Sequence, residues 1–135
     1  MTRPGLGRLF GSLFYESIVA FSVLLLGFWI PQTILYAVGI RLSGPALIAH
    51  LELLLIVYFL WFWLNGGQTL AMRTWRLRLV GVEHPHLRPA QALLRYLAAS
   101  AGLLLGGIGF LWAIVDRDHR FLHDRIAGTR IVWLD

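Results

Sequence analysis

Three long apolar stretches divided by polar breaks dominate the chain. The first runs from Leu9 to Ile30 and meets Pro31. About 20 apolar residues cover a ~30 Å hydrocarbon core at 1.5 Å per residue, so this stretch predicts a transmembrane helix over about 9–30. Pro31 is expected to stop it, leaving PQTILYAVGIRLSG, 31–44, as a connector. Ser43-Gly44-Pro45 announces a second helix over about 45–64. It ends in YFLWFWL, where Tyr58, Trp61 and Trp63 suit a headgroup boundary because each ring keeps one wet edge.

After Asn65-Gly66-Gly67 the period changes. TWRLRLV alternates polar and apolar, with Arg76 and Arg78 on one face and Trp75, Leu77 and Leu79 on the other. Period two predicts a strand or extended surface segment over 74–82, inside an amphipathic loop 65–88. A second β-prone run, 129–134, lies in the polar tail 116–135. Between them stands the third apolar stretch, 89–115, with one arginine, Arg95, and the glycine-rich centre GLLLGGIG, 102–109.

Arginine placement bears on topology. Arg3 and Arg8 precede the first helix, and Arg41 alone lies in the connector. Arg73, Arg76, Arg78 and Arg88 follow the second helix, and Arg117, Arg120, Arg125 and Arg130 occupy the tail. The positive-inside rule puts the N-terminus, the 65–88 loop and the tail on the cytoplasmic side. A turn at Gly106-Gly107 would bring the tail back, and would let the two strands satisfy each other's backbone groups. A single straight span over 89–115 is the alternative. The expected fold class is thus an all-α membrane protein: a small helical bundle with two full transmembrane helices, a third hydrophobic segment that is either a bent hairpin or one span, and a short two-stranded β element at the cytoplasmic face.

Composition agrees. Of 135 residues, 58% are hydrophobic and 14% charged, whereas a soluble domain is about half apolar and a quarter charged. One domain of this size cannot hide so much apolar surface by itself. The absence of cysteine excludes disulfides and thiolate metal sites. All 12 basic residues are arginines and the net charge is +5. Because these arginines flank apolar segments, anionic lipid headgroups are the expected partner rather than nucleic acid. The N-terminal apolar stretch is too long for a signal peptide and lacks a small-residue cleavage site, so it reads as a retained membrane segment.

Glu16 is the chief candidate for chemistry. It interrupts LFYESIV about 10 Å inside the first helix, where a charged side chain costs about 2.5–3.5 kcal/mol or more. It has to be neutral, paired, or turned to a wet interior. A clasp to another helix and a proton or ion site are both open readings. Arg8 lies eight residues earlier on roughly the same helical face, too far for direct pairing, and snorkelling to phosphate is its plain role. DRDHRFLHDR, 116–125, places His119 and His123 four apart, a spacing that can bind zinc on a helix. It is not H-E-x-x-H, and an ion-paired turn is the simpler reading. His84, His86, His50 and Glu52 read as surface features. The glycine run lacks the strand, helix and lysine of a phosphate-binding loop, and no nucleophile-and-base pair points to a hydrolase. No cofactor, metal or enzymatic activity is expected.

Four blocks in order carry a resemblance: RLFGSLFYE, 8–16; GQTLAMRTWRLRLV, 67–80; PAQALLRYL, 89–97; and GFLWAIVDRDHRFLHDRIAGTRIV, 109–132. Together they resemble the RDD family of bacterial membrane proteins over nearly the whole chain. That family is named for one arginine and two aspartates. The resemblance maps the arginine onto Arg8 and the first aspartate onto Glu16, which keeps the carboxylate and lengthens it by a methylene. The second falls on Asp124, with Asp116 as the alternative. Gln68, Thr69 and Arg73 match the loop motif, and His123 the tail motif.

The resemblance implies a multi-pass protein of the bacterial inner membrane. Transport of unknown ligands has been suggested for the family, and sodium–proton antiport is attached to some relatives. The expectation is a transport component in which protonation of Glu16 exchanges with cation binding, with Arg8 and Asp124 completing a polar cluster. The rival is a scaffold or accessory subunit that binds other membrane proteins. A pathway in so short a chain would call for homo-oligomers.

Overall fold

The computed structural model describes residues 3–134. Helix α1, Leu6–Leu24, passes through a π-helical turn, Leu25–Trp29, into α2, Ile30–Ala37. Pro31 therefore does not stop the first helix, contrary to the expectation. Proline has no N–H to donate and crowds the carbonyl four residues back. The wider turn before it absorbs both defects, and the Ile30 N–H bonds the Leu25 carbonyl five residues back. The connector shrinks to 38–43.

Helix α3, Gly44–Leu64, starts where the Ser43 hydroxyl accepts the Ala46 N–H at 3.3 Å. The Leu6–Ala37 and Gly44–Leu64 helices are both long and apolar enough to cross a membrane. At 32 residues the first is about 48 Å long, well beyond a ~30 Å core. Phe21, Leu26, Trp29 and Ile34 on it, and Ile48, Leu53, Val57 and Trp61 on α3, stand exposed. So broad an apolar surface fits hydrocarbon and not water.

The loop after α3 is more ordered than an amphipathic connector. It contains α4, Leu70–Thr74, and strand β1, Leu77–Gly81. The strand begins later than the alternation predicts, because Arg76 adopts a left-handed φ of 54° and turns the chain. Leu77 and Leu79 are buried, as the period-two reading requires. Strand β2, Thr129–Trp133, pairs antiparallel with β1 in the register Leu77↔Trp133, Leu79↔Ile131 and Gly81↔Thr129. The two predicted strands do meet.

That pairing ties together the chain on either side of the third apolar stretch. The stretch forms α5, Pro89–Leu104, and α6, Ile108–Val115, bent by 95°. Gly106 and Gly107 supply the turn, with φ of 83° and 81°. Gly102 and Gly109 let the arms touch: a Cβ added to Gly102 would stand 3.0 Å from the Gly109 Cα. The stretch is a bent pair, not one straight helix. Helix α7, Leu122–Ala127, packs on α5 and α6 and leads into β2. The buried core sits at this end, where Leu9, Trp63, Met72, Leu77, Leu79, Tyr96 and Phe121 converge.

Candidate functional site

Glu16 sits half-buried on α1, two turns beyond the buried Leu9. Two hydroxyls reach its carboxylate from two other elements. Tyr58 on α3 donates to Oε1 at 3.0 Å, and Thr69 donates to Oε2. Thr69 is held in turn as the N-cap of α4, where its hydroxyl accepts the Met72 N–H at 3.3 Å. Gly11 lets α4 approach this closely: the Trp75 ring lies where a Cβ would stand, 2.6 Å away. Gln68 steadies the same corner by donating to the Leu77 carbonyl at 2.7 Å. Arg73, in the last turn of α4, is exposed.

The second half of the site is an ion pair that sequence reading passed over. The Arg95 Nε donates to Asp124 Oδ1 at 2.9 Å, with the two side chains only 5% and 1% exposed. The guanidinium also lies 4.4 Å over the Trp63 ring. Thr129 donates to the same Asp124 oxygen at 2.9 Å. Burial alone would raise the Asp124 carboxyl, but the Arg95 charge and these hydrogen bonds outweigh it and hold it below its ordinary range. The one sign of Arg95 in the sequence was its solitude, a lone base in a 27-residue apolar stretch.

The LHDRIAGT block builds the corner that places Asp124. Gly128 ends α7 in a left-handed turn with φ of 69°, and Thr129 opens β2. Gln91 of α5 donates to the Gly128 carbonyl at 2.9 Å, and Arg120 to the Thr129 carbonyl at 2.6 Å. His123 lies beside Asp124, stacked on Phe121 with ring centroids 5.0 Å apart. Its burial, reinforced by the Arg95 charge, pulls the imidazole down to about 3, so it is neutral. Its Nδ1 is buried without a hydrogen-bond partner.

The remaining candidates go elsewhere. Arg8 donates to the Trp75 carbonyl at 2.8 Å and covers the Trp133 ring at 4.6 Å, so it pins the α4–β1 turn and stands apart from the Glu16 and Asp124 contacts. Asp116 shapes the 116–120 turn. Its carboxylate accepts the Asp118 and Arg120 N–H groups at 3.1 and 3.0 Å and pairs with Arg125, which leads in pulling it down to about 2. His119 lies in that turn with a left-handed φ of 52°, its ring nitrogen 3.0 Å from the Ala113 carbonyl, whereas His123 is on α7. The zinc-like spacing is therefore not on one helical face. His50 and Glu52 are half-buried and partnered between helices: Gln32 lies 2.8 Å from His50 Nδ1, and Tyr96 donates to Glu52 at 2.8 Å.

Glu16 and Arg95 share one space, with Asp124 behind the guanidinium. A cavity of about 580 Å³ is lined by Glu16 and Leu13 of α1, Phe59 of α3, Arg95 and Tyr96 of α5, Phe110 of α6, and His123. It exists because α1 packs on α3 and α4 while α5 packs on α3, α6 and α7. Chemically, it offers a carboxylate with two hydroxyl donors, a cation and a neutral imidazole behind apolar walls. Such a carboxylate can exchange a proton for another cation.

No curated protein and no solved structure matches the chain. A sequence model of the RDD family matches residues 3–128, nearly all of it. The matched range takes in the Glu16 helix, the Thr69 cap, the Arg95 helix and the Asp124 corner, and the chain belongs to the RDD family.

Proposed function

We propose that the protein is a multi-pass component of the bacterial inner membrane that exchanges a proton for a cation at Glu16. One observation carries the reading: a carboxylate on an apolar helix faces a cavity that also receives Arg95. Intramembrane ionisable groups are costly and mark ion or substrate pathways. Tyr58 and Thr69 hold the carboxylate while leaving it on the cavity wall. Arginines near the sheet face anionic headgroups and set the orientation. The test is proton flux into liposomes under an imposed cation gradient, followed with an internal pH-sensitive dye. Wild-type flux that disappears in Glu16→Gln supports the reading.

The same hydrogen bonds favour a second reading. They tie α1 to α3 and α4, which is what a clasp in a scaffold or accessory subunit would do. Absence of flux in the wild type, with a Glu16→Gln protein that aggregates or loses its partners, would select that reading instead.

A further inference from the structure

The cavity says more about the cation than Glu16 does alone. Its walls are mostly hydrocarbon and ring. Calcium and magnesium take six or more oxygen ligands, and besides Glu16 the walls offer single hydroxyls spread over α1, the α4 cap and α5 rather than a second carboxylate. Among the described residues no cluster of three or more His, Asp or Glu side chains could hold a metal ion. An anion fares worse. Arg95 on the wall is already engaged by Asp124 behind it, which leaves the Glu16 carboxylate without a compensating cation. His123 adds no charge, since burial keeps it neutral.

What remains is one uncompensated carboxylate, Glu16, under apolar walls. Phe59, Tyr96 and Phe110 line the space, and aromatic faces attract cations. The volume of about 580 Å³ falls within the roughly 300–1,000 Å³ of small-molecule sites, which are apolar with a few placed polar groups. The cavity also extends past Glu16 to Leu24 on α1 and to Leu103 and Gly107 opposite, leaving room for an apolar body beyond a charged head.

We propose that the cavity between α1 and the α5–α6 pair binds a lipophilic organic cation, with its charged group at Glu16 and its apolar body against the ring-lined wall. The inference rests on Glu16 as the cation-handling group and names the class of cation. The ligand's charge offsets that of the carboxylate in a place where water cannot. The apolar body contributes the burial that a hydrated inorganic ion could not.

The test uses two probes of nearly equal size and opposite charge, tetraphenylphosphonium and tetraphenylborate. Each is equilibrated by dialysis with the full-length protein in detergent, and binding to empty micelles is subtracted. Saturable binding of the phosphonium is expected, tighter than that of the borate by about tenfold or more, the ratio for loss of one charged contact. Glu16→Gln should erase the preference, and Ala99→Trp, which fills the cavity from α5, should abolish binding of both probes. Equal binding, tighter borate binding, no saturable binding, or a preference that survives either substitution overturns the inference. If Glu16→Gln does not fold, the wild-type preference and Ala99→Trp decide. Binding is read without flux, so a protein that couples protons to cations but ignores the phosphonium refutes only the ligand class. A protein that binds the phosphonium but moves no protons refutes only the coupling.

Discussion

Arg95 and Asp124, 29 residues apart in sequence, meet at 2.9 Å with both side chains almost wholly buried. Taking two charges out of water is costly, and the pair holds only while both partners are present. Arg95→Ala or Asp124→Ala should each destabilise the protein by about 3–5 kcal/mol, because either leaves an unpaired buried charge. The double replacement Arg95→Met with Asp124→Leu should recover most of that loss. Thermal unfolding in detergent reads the comparison. A double variant no better than the singles would mean that the pair is not an isolated energetic unit.

Gly102 and Gly109 decide the bend of the third stretch. A side chain on Gly102 meets backbone atoms at 3.0 and 3.1 Å, and backbone cannot move aside cheaply. Gly102→Val should therefore lower the melting temperature sharply or prevent folding, since an overpacked site costs about 1–3 kcal/mol. Gly7 has open space around it, and Gly7→Ala should be neutral or stabilising, by up to about 1 kcal/mol. Equal tolerance of the two changes would contradict the contact between α5 and α6.

Acid should weaken the fold in two stages. His123 titrates near 6.5 when free but is pulled down to about 3 by burial, so below pH 6.5 the unfolded chain takes a proton that the folded chain refuses. Stability from this source is complete above pH 6.5 and is lost as pH falls towards 3. Asp116, brought from 3.8 to about 2 chiefly by Arg125, and Asp124, held below its ordinary range against burial by Arg95, add a second loss below about pH 3.8. Melting temperatures across this range should decline from about pH 6.5 in the wild type. In His123→Phe they should stay level until about pH 4. A variant that keeps the early decline would show that another group causes it.

Both ends of the bent pair lie near one sheet, so the tail should share a side with the loop after α3. Reporters fused after residue 135 and inserted between Asn65 and Gly66 should give the same cytoplasmic signal, and one placed in 38–43 the opposite. A periplasmic signal from the tail would reject the returning segment.

Much of this fold could be read from residue order, because its causes are local. Period two marked the first strand and β-prone residues the second, and their unpaired backbone predicted that they meet. Glycine chemistry at Gly106 and Gly107 located the bend. Pro31 misled because a proline signal is local while its cure, a π-helical turn one step earlier, depends on how the whole helix settles. Arg8 and Glu16 shared a helical face in sequence, yet their partners, Trp75 and Thr69, come from α4 and its turn. Arg95 was visible only as an isolated charge, since its partner stands 29 positions away across a corner built by Gly128. Spacing along one helix cannot report a contact made between elements.

The central claim is that Glu16 trades a proton for a cation, and infrared difference spectroscopy of the protein in lipid reads that carboxyl directly. Adding sodium or tetraphenylphosphonium at fixed pH should erase the protonated carboxyl C=O band and raise a carboxylate band, with neither change in Glu16→Gln. A spectrum indifferent to the cation, or a carboxyl change that persists in Glu16→Gln, would contradict it.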